Sequence, residues 1–391
     1  KTTNFQKMNI LKEPREKYFT EIANNLGAVP DSKQIVITHF LPDRPELMKA
    51  FNIISPIELL IAIPYSIVPE VLAELRTVYN VVTPTLNELL SPTYLTDLIR
   101  PILNANKNFK FTISEIGGYF APQIHSIFQE FGNQIIGFIE DTQNGHVRYE
   151  KQKPLPYPVI SVARSTLKEG EDTLVGPSCF FSTDKLLRSV GVILSPRRAL
   201  VVGYGKVGRG MAFSLQDNNC VANVYDINPI RNCIANGDGM LIPGRQEILK
   251  ECDIIFGCTG VTSISGSDFD LLDDGCILVS CSSKNIEFDL PTLYANFTKQ
   301  NIIPKFDKYV SNSTGKIIYL LGEGTPINFI DGAVFGPTLT LVQAELILAS
   351  KAIHSLVANG ELLELSISER KIIADSWQNA FIDKNSGSFY Y

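Results

Sequence analysis

The stretch that decides the fold reads Leu200-Val-Val-Gly-Tyr-Gly-Lys-Val-Gly-Arg-Gly210. The apolar run at residues 198–202 predicts a β-strand before the glycines, and residues 211–215 predict a helix after them. A second predicted strand, at residues 221–225, ends at Asp226. The order of strand, glycine-rich loop, helix, strand and acidic residue is typical of a dinucleotide-binding βαβ unit.

The glycines of this loop have separate physical roles. Gly203 permits the tight turn after the strand, Gly205 lets a pyrophosphate approach the backbone, and Gly208 lets the helix pack on the strand. The N-terminus of the helix then faces the phosphates with its free N–H groups. We expect Lys206 and Val207, which lie between the last two glycines, to contact the cofactor as well.

Asp226 indicates which dinucleotide is bound. Its carboxylate can accept hydrogen bonds from both hydroxyls of an adenosine ribose and would repel a 2′-phosphate, which favours NAD over NADP. Arg231 lies close enough to Asp226 in the sequence that it could bind a 2′-phosphate, so NADP stays an alternative. We include Arg231 among the cofactor-binding residues. The alternative for the whole motif is a glycine turn that binds no ligand.

Composition predicts a soluble globular protein of two or three domains. The chain has 391 residues, of which 45% are hydrophobic and 19% charged, and its net charge of −6 argues against a nucleic-acid partner. No apolar stretch is long enough to cross a bilayer. Seven cysteines without CxxC spacing indicate free, buried thiols in a reducing cytoplasm, and we expect no metal site.

Predicted strands and helices alternate through the N-terminal part of the chain. The strands fall at residues 34–38, 59–63, 78–82, 109–113 and 135–139, and the helices at 45–51, 68–76, 95–100 and 122–131. Such alternation predicts a doubly wound parallel sheet with helices on both faces. We expect Pro101 to end the third of these helices.

The predicted architecture is α/β, with a Rossmann NAD-binding domain inserted in a second doubly wound α/β substrate domain. A helix at 182–190 leads into the inserted domain, and a long apolar helix at 337–353 leads out of it. The expected boundaries are 1–180 and 338–375 for the substrate domain, 181–337 for the NAD-binding domain and 376–391 for a C-terminal tail. Ligands of such sheets bind at the carboxyl ends of strands, where His39, Glu115 and Glu140-Asp141 fall.

These residues together resemble the S-adenosylhomocysteine hydrolase family. Its GYGxVGxG loop fits Gly203–Gly210, its EETTTG segment is similar to Glu140-Asp-Thr-Gln-Asn-Gly145, and its lysine and aspartate four residues apart match Lys168 and Asp172. Further matches are His39 at the first strand end, Glu115-Ile-Gly-Gly118, Thr259-Gly260, Asn328 and the C-terminal Phe389-Tyr390-Tyr391.

The resemblance implies a chemistry in which bound NAD transiently oxidises the 3′-hydroxyl of a nucleoside or nucleoside thioether. It implies that Asp141 binds a ribose hydroxyl, that Lys168 and Asp172 act at the 3′-hydroxyl, and that His39 and Glu115 assist at the 4′ and 5′ positions. It adds Asp43 and Thr173 as substrate-binding residues. The cofactor-binding residues that it implies are Thr142, Gln143, Asn144, Thr259, Gly260, Asn328 and Tyr391. The tyrosine tail implies a homodimer or homotetramer.

The chain departs from the family where the leaving group and the base would bind. A family histidine corresponds to Ser283, and the histidine of a Gly-His-Pro segment corresponds to Gly336. A family cysteine is Pro177, and the second aspartate of a strand-end pair is Ile116. We expect an altered substrate or a partial reaction. The alternatives are an NAD-dependent dehydrogenase of a sugar or 2-hydroxy acid, and a catalytically silent NAD-binding regulator.

The candidate catalytic residues also have structural alternatives. His39 could be a strand-end histidine that bonds only to backbone, and Asp141 could cap a turn with Asn144 and Gly145. Lys168 lies in a charged run that could simply be solvated. For Glu115, a carboxylate at a strand end must be either solvated or paired, which favours function.

Overall fold

The computed structural model describes residues 9–282, 285–383 and 385–388. The chain divides into two compact units. The first unit comprises Lys1–Glu169 and Gly336–Tyr391, and the second unit comprises Gly170–Phe335. The second unit is therefore an insertion in the sequence of the first.

The first unit opens with strands and helices in alternation. In chain order they are α1 (Lys12–Leu26), β1 (Ser32–Phe40), α2 (Arg44–Ile54), β2 (Ile57–Ile67), α3 (Pro69–Arg76), β3 (Val81–Val82), α4 (Leu86–Leu89), α5 (Tyr94–Ala105), β4 (Lys110–Glu115), α6 (Ile124–Phe131), β5 (Ile135–Glu140), α7 (Gln143–Glu150) and β6 (Val159–Ser161).

The second unit follows with α8 (Glu169–Arg188), β7 (Arg198–Val202), α9 (Lys206–Asp217), β8 (Val221–Tyr225), α10 (Pro229–Gly237), α11 (Arg245–Leu249), β9 (Ile254–Gly257), β10 (Cys276–Ser280), α12 (Leu290–Asn296), β11 (Phe297–Ile303), β12 (Phe306–Ser311) and β13 (Ile317–Leu321). The chain then returns to the first unit with α13 (Leu339–Ala352), β14 (Leu362–Leu363) and α14 (Ile367–Phe381).

Each unit is built on one sheet. In the first unit the strand order is β14-β6-β5-β4-β1-β2-β3, and all of these strands pair in parallel. In the second unit the order is β11-β12-β13-β10-β9-β7-β8, in which β11, β12 and β13 pair antiparallel and the others parallel. Parallel strands need crossover helices, which is why helices separate them in the sequence.

Both sheets bury both faces, as a doubly wound fold requires. Along β1, Val36 packs into one core, while Ile35 and Ile37 pack into another on the opposite face. Along β7, Val201 and Val202 likewise enter different cores. The α/β prediction with its doubly wound sheets is confirmed, because side chains that alternate across a strand meet helices on either side.

The structure corrects several predicted elements. Pro101 lies inside α5 and does not end it, because the buried side chains Ile99 and Leu103 anchor the helix on both sides of the proline. The third predicted strand is reduced to β3, since Val78 lies in a turn and is 69% exposed. The helix expected at 182–190 begins much earlier, at Glu169, and passes through Pro177.

Two further elements were not predicted. The hairpin of β11 and β12 continues the second sheet, and its outer strand β11 is polar and largely exposed, which gives little periodic signal. Helix α14 runs to Phe381 and so crosses residue 376, where we expected the tail to begin. Its buried Ile373 and Phe381 belong to a core of the first unit, which explains why it remains helical.

Candidate functional site

The loop after β7 has the geometry that a pyrophosphate needs. Gly203 has a positive φ of +94°, and a Cβ on Gly208 would lie 1.8 Å from Gly203 O, so both positions require glycine. A Cβ on Gly205 would meet nothing within 4 Å. Helix α9 begins directly afterwards, at Lys206, and no side chain caps it. Open space therefore lies before a free helix N-terminus, which is a favourable place for a phosphate.

The last glycine of the motif serves packing within the second unit. A Cβ on Gly210 would lie 2.8 Å from Thr173 O, and one on Gly176 would lie 2.2 Å from Met211 N. Glycines on both α8 and α9 thus allow the two helices to approach closely. Thr173, predicted to bind substrate, is exposed there and donates to Gly170 O at 2.8 Å.

Asp226 lies at the end of β8, beside the glycine loop. Its carboxylate accepts hydrogen bonds from Tyr204 N at 2.6 Å and Asn228 N at 2.8 Å. These bonds fix its orientation, and each oxygen keeps a lone pair for a ribose hydroxyl. The next residue, Ile227, is 90% exposed, and Arg231 is exposed on α10.

Glu287 holds the turn that follows β9, and sequence reasoning missed it. Its buried carboxylate accepts from Thr259 N at 2.8 Å, Thr259 Oγ1 at 2.9 Å and Gly260 N at 2.6 Å. Burial raises the pKa of Glu287, although the donors around it act in the opposite direction. The partners are 27–28 residues apart in sequence, so no local pattern indicated the contact.

Asn328 supplies an acceptor that has no partner among the described residues. Its side chain is 3% exposed, and its Oδ1 is buried without a hydrogen bond. A buried amide oxygen that lacks a donor is costly unless a ligand provides one. The carboxamide of a nicotinamide is such a donor. Together with the glycine loop and Asp226, this orphaned oxygen fits a dinucleotide in the second unit.

In the first unit, Lys168 and Asp141 form a buried ion pair. Lys168 Nζ donates to both the backbone O and Oδ1 of Asp141 at 2.8 Å, and Lys168 is 7% exposed. Burial acts to raise the pKa of Asp141, but the charge of Lys168, followed by that of Arg44, outweighs it and lowers the pKa. The aspartate is therefore ionised. The solvated-charge alternative for Lys168 is wrong, since the residue is buried.

His39 lies in the same cluster of charges. Its Nδ1 is 2.5 Å from Ser66 Oγ, and the Ser66 hydroxyl donates to Ile63 O at 3.2 Å. We infer that Nδ1–H donates to Ser66, which leaves Nε2 unprotonated. Burial and, next, the charge of Arg44 lower the pKa of His39 to about 3, so the imidazole is neutral at physiological pH. The backbone-only alternative for His39 does not hold.

Glu115 and Glu140 end adjacent strands and face each other in register. Glu115 accepts from Tyr149 Oη and from Phe120 N at 3.1 Å. Glu140 accepts from Gly117 N at 3.0 Å and Gly118 N at 2.8 Å. Burial raises the pKa of both carboxyls, and the charge of Glu115 helps to raise that of Glu140 to about 8. Both oxygens of Glu115 thus already have protein partners.

The remaining predicted residues are distributed over both units. Thr142 caps α7 by accepting from Gly145 N at 3.1 Å, so the cap that we considered for Asp141 belongs to Thr142. Gln143 Oε1 accepts from Arg164. Asp172 lies in the second unit, where Lys206 Nζ donates to it at 2.8 Å. Asn144 lies in the first turn of α7, and Ser283 and Tyr391 lie outside the described residues.

The cysteines have no disulfide in the described structure, and Cys233 is exposed rather than buried as expected. No helix in the described part of the chain combines the length and apolar character needed to span a membrane.

The fold and loop of the second unit define an NAD-binding Rossmann domain. Residues 180–333 match the family described as S-adenosyl-L-homocysteine hydrolase, NAD binding domain. This domain is thus similar to the NAD-binding domain of the S-adenosylhomocysteine hydrolases, and the cofactor of the chain is NAD.

Curated relatives extend the match beyond this domain. Adenosylhomocysteinase of Pyrococcus abyssi is 28% identical over 64% of this chain and 60% of its own length. Adenosylhomocysteinase of Thermococcus kodakarensis is 30% identical over 60% of this chain and 56% of its own. The chain therefore matches less than two thirds of these relatives. The apo-structure of D-lactate dehydrogenase from Escherichia coli aligns with 85% of this chain at 12% identity and a TM-score of 0.45, which carries no functional argument.

Proposed function

We propose that this protein is an NAD-dependent enzyme that acts on a nucleoside or nucleoside thioether by transient oxidation of the ribose 3′-hydroxyl. The single observation that carries the proposal is the buried pair of Lys168 and Asp141 beside a neutral His39. A folded chain does not bury such charged groups without cost, and perturbed groups of this kind concentrate at functional sites.

Bound NAD supplies the acceptor and donor of a hydride. Asp141, which is ionised, accepts a hydrogen bond from a ribose hydroxyl. Lys168 binds the 3′-hydroxyl and helps to remove its proton, since it already lies within hydrogen-bond distance of the carboxylate that would orient the sugar. Asp172, held by Lys206, belongs to the second unit and adds a carboxylate there.

His39 is suited to a proton transfer at the 4′ or 5′ position. With Nδ1–H directed at Ser66, its Nε2 carries the lone pair of a neutral imidazole, which burial and the charge of Arg44 maintain by lowering the pKa of His39. For Glu115 we propose a supporting role, because Tyr149 and Phe120 already occupy its oxygens. Its partner Glu140 fixes the Gly117-Gly118 turn.

The substrate, the location in the cytoplasm and a homo-oligomeric state are parts of the same proposal. The family histidines that correspond to Ser283 and Gly336 are absent, which supports an altered leaving group or a partial reaction. A sugar or 2-hydroxy-acid dehydrogenase differs in one observable way, because it would release NADH to solution. A silent regulator would bind NAD and turn over nothing.

The test uses the full-length protein loaded with NAD. Adenosine and S-adenosylhomocysteine are added separately, and bound NADH, free NADH and homocysteine are measured. Transient bound NADH supports the proposal, and homocysteine release identifies a hydrolase. Accumulation of free NADH supports the dehydrogenase, and no response to either compound contradicts the proposal.

Lys168→Ala should lower kcat by about 10²–10⁴-fold, the range for loss of a general acid or base. The matched control is Lys49→Ala, which removes a half-exposed lysine that pairs with Glu16. That control should leave kcat unchanged. Equal activity of the two variants would refute the role of Lys168.

A further inference from the structure

Arg44 differs from the other buried arginines of the first unit. Arg15 donates to Glu46 at 2.8 and 3.1 Å, and Arg370 donates to Glu345 at 2.8 Å, so each has a buried carboxylate as a hydrogen-bond partner. Arg44 is equally buried, at 6% exposure. Yet its Nε has no hydrogen-bond partner among the described residues.

The ion pair that Arg44 forms does not satisfy its guanidinium. Asp43 Oδ2 lies 3.1 Å from one terminal nitrogen, and Gln343 Nε2 also donates to the same oxygen. A guanidinium carries five N–H donors in a planar fork that matches a carboxylate or phosphate. Burial of a charged donor without an acceptor is costly. The unpaired Nε–H therefore calls for an acceptor that the described residues do not provide.

The place of Arg44 in the fold strengthens this argument. It is the first residue of α2, an eleven-residue helix, and the side chain of Asp43 does not cap that helix. A cation at a helix N-terminus is unfavourable, because the helix dipole is positive there. The same dipole favours an anion. An anion bound at this point would offset both the charge of Arg44 and the dipole of the helix.

The neighbours of Arg44 belong to the candidate substrate site. The charge of Arg44 contributes to the lowered pKa of His39 and of Asp141, so the guanidinium lies near both. An acceptor is also unpaired in this region, since Gln343 Oε1 is buried without a partner in the described structure. A ligand there needs both an anionic group and a hydroxyl or other donor.

We propose that Arg44 and the N-terminus of α2 form an oxyanion subsite, so that the substrate is a sugar derivative with a phosphate or carboxylate group. This inference rests on the proposed function, because it assigns a substrate class to the same site. Asp43 opposes anion binding by its own charge, and Arg44 with the helix dipole must outweigh it.

The test is calorimetric binding of two probes, inorganic phosphate and acetate, to the NAD-loaded full chain. We expect at least one of them to bind the natural protein. Arg44→Gln should lower its affinity by at least about tenfold, as expected for loss of one partner of a buried charged pair. Asp43→Asn should raise the affinity, because it removes the competing carboxylate. Tighter binding of phosphate would indicate a phosphoryl group, and tighter binding of acetate a carboxylate.

Arg15→Gln is the matched control, since Arg15 is a buried arginine whose donors are already used. It should leave probe affinity unchanged. If Arg44→Gln does not fold, Asp43→Asn/Arg44→Gln removes both charges together and still lacks the guanidinium. Binding of neither probe to the natural protein, or equal binding by the variants without Arg44, would overturn the proposal. The measurement needs no turnover, so a protein that binds phosphate through Arg44 yet oxidises no sugar refutes the proposed function alone.

Discussion

Charged side chains buried at strand ends dominate the first unit at the scale of single residues. Lys168 neutralises Asp141, whereas Glu115 and Glu140 pair in register on adjacent strands and accept hydrogen bonds from backbone N–H groups. Two carboxylates so close cannot both ionise cheaply. One of them therefore holds a proton at neutral pH, which makes the stability of the fold depend on pH.

The pH dependence of that pair is our residue-scale prediction. Burial and the charge of Glu115 raise the pKa of Glu140 from 4.5 to about 8. The folded protein thus keeps a proton that the unfolded chain releases above pH 4.5. The contribution of this proton to the free energy of unfolding is complete below that pH and is lost as pH rises through 8. The slope approaches about 1.4 kcal/mol per pH unit.

Urea unfolding between about pH 5 and 8 measures this slope, because the pH range lies between the pKa of Glu140 in the unfolded chain and in the folded protein. Glu140→Gln keeps the shape of the side chain and should flatten it. Glu150→Gln is the control, because Glu150 is a partly exposed carboxylate of the neighbouring helix. An equal slope in natural protein and Glu140→Gln would show that another group holds the proton.

At the scale of elements, one glycine of the loop before α9 is required for folding and another for binding. Gly208 lies against Gly203 O, whereas Gly205 faces open space with an ordinary φ of −77°. The two glycines therefore answer different physical demands, although they are three residues apart in one motif.

Gly205→Ala should fold with an unchanged melting temperature and lose NAD affinity, because the added methyl group occupies the approach of the pyrophosphate. Gly208→Ala should destabilise the protein by about 1–3 kcal/mol or more, the usual cost of overpacking. Thermal unfolding and NAD content after acid extraction test both variants. Loss of folding in Gly205→Ala, or normal stability in Gly208→Ala, would contradict the assignment.

At the scale of the whole molecule, the NAD loop and the proposed substrate residues lie in different units, each built on one sheet. The second unit carries the NAD loop, and the first carries His39, Asp141 and Lys168. The predicted contribution of a neighbouring subunit through Tyr391 lies outside the described residues. It remains a prediction about assembly.

Deletion of residues 389–391 tests it. If the aromatic tail completes the cofactor site of a neighbouring subunit, the deletion should lower NAD retention and the oligomeric mass while secondary structure is unchanged. Native mass spectrometry reports both quantities. The replacement of Lys371, an exposed residue of α14, by Ala is a control that should change neither. Full NAD retention by the truncated protein would remove the argument for an oligomer from the tail.

The sequence by itself determined the cofactor and the α/β class. The groups that bind a pyrophosphate are backbone groups of consecutive residues. Predicted strands that alternate with predicted helices along the chain indicate a parallel sheet. Even so, local reasoning placed a helix end at Pro101, which the buried side chains Ile99 and Leu103 override.

Only the tertiary structure decided which charges meet. Lys168 and Asp141 are 27 residues apart, and Glu287 reaches back 28 residues to Thr259. The unpaired Nε of Arg44 becomes visible only when every buried neighbour is known. The physical reason is that hydrogen bonding and burial depend on three-dimensional proximity, whereas glycine geometry and strand periodicity depend on neighbours along the chain.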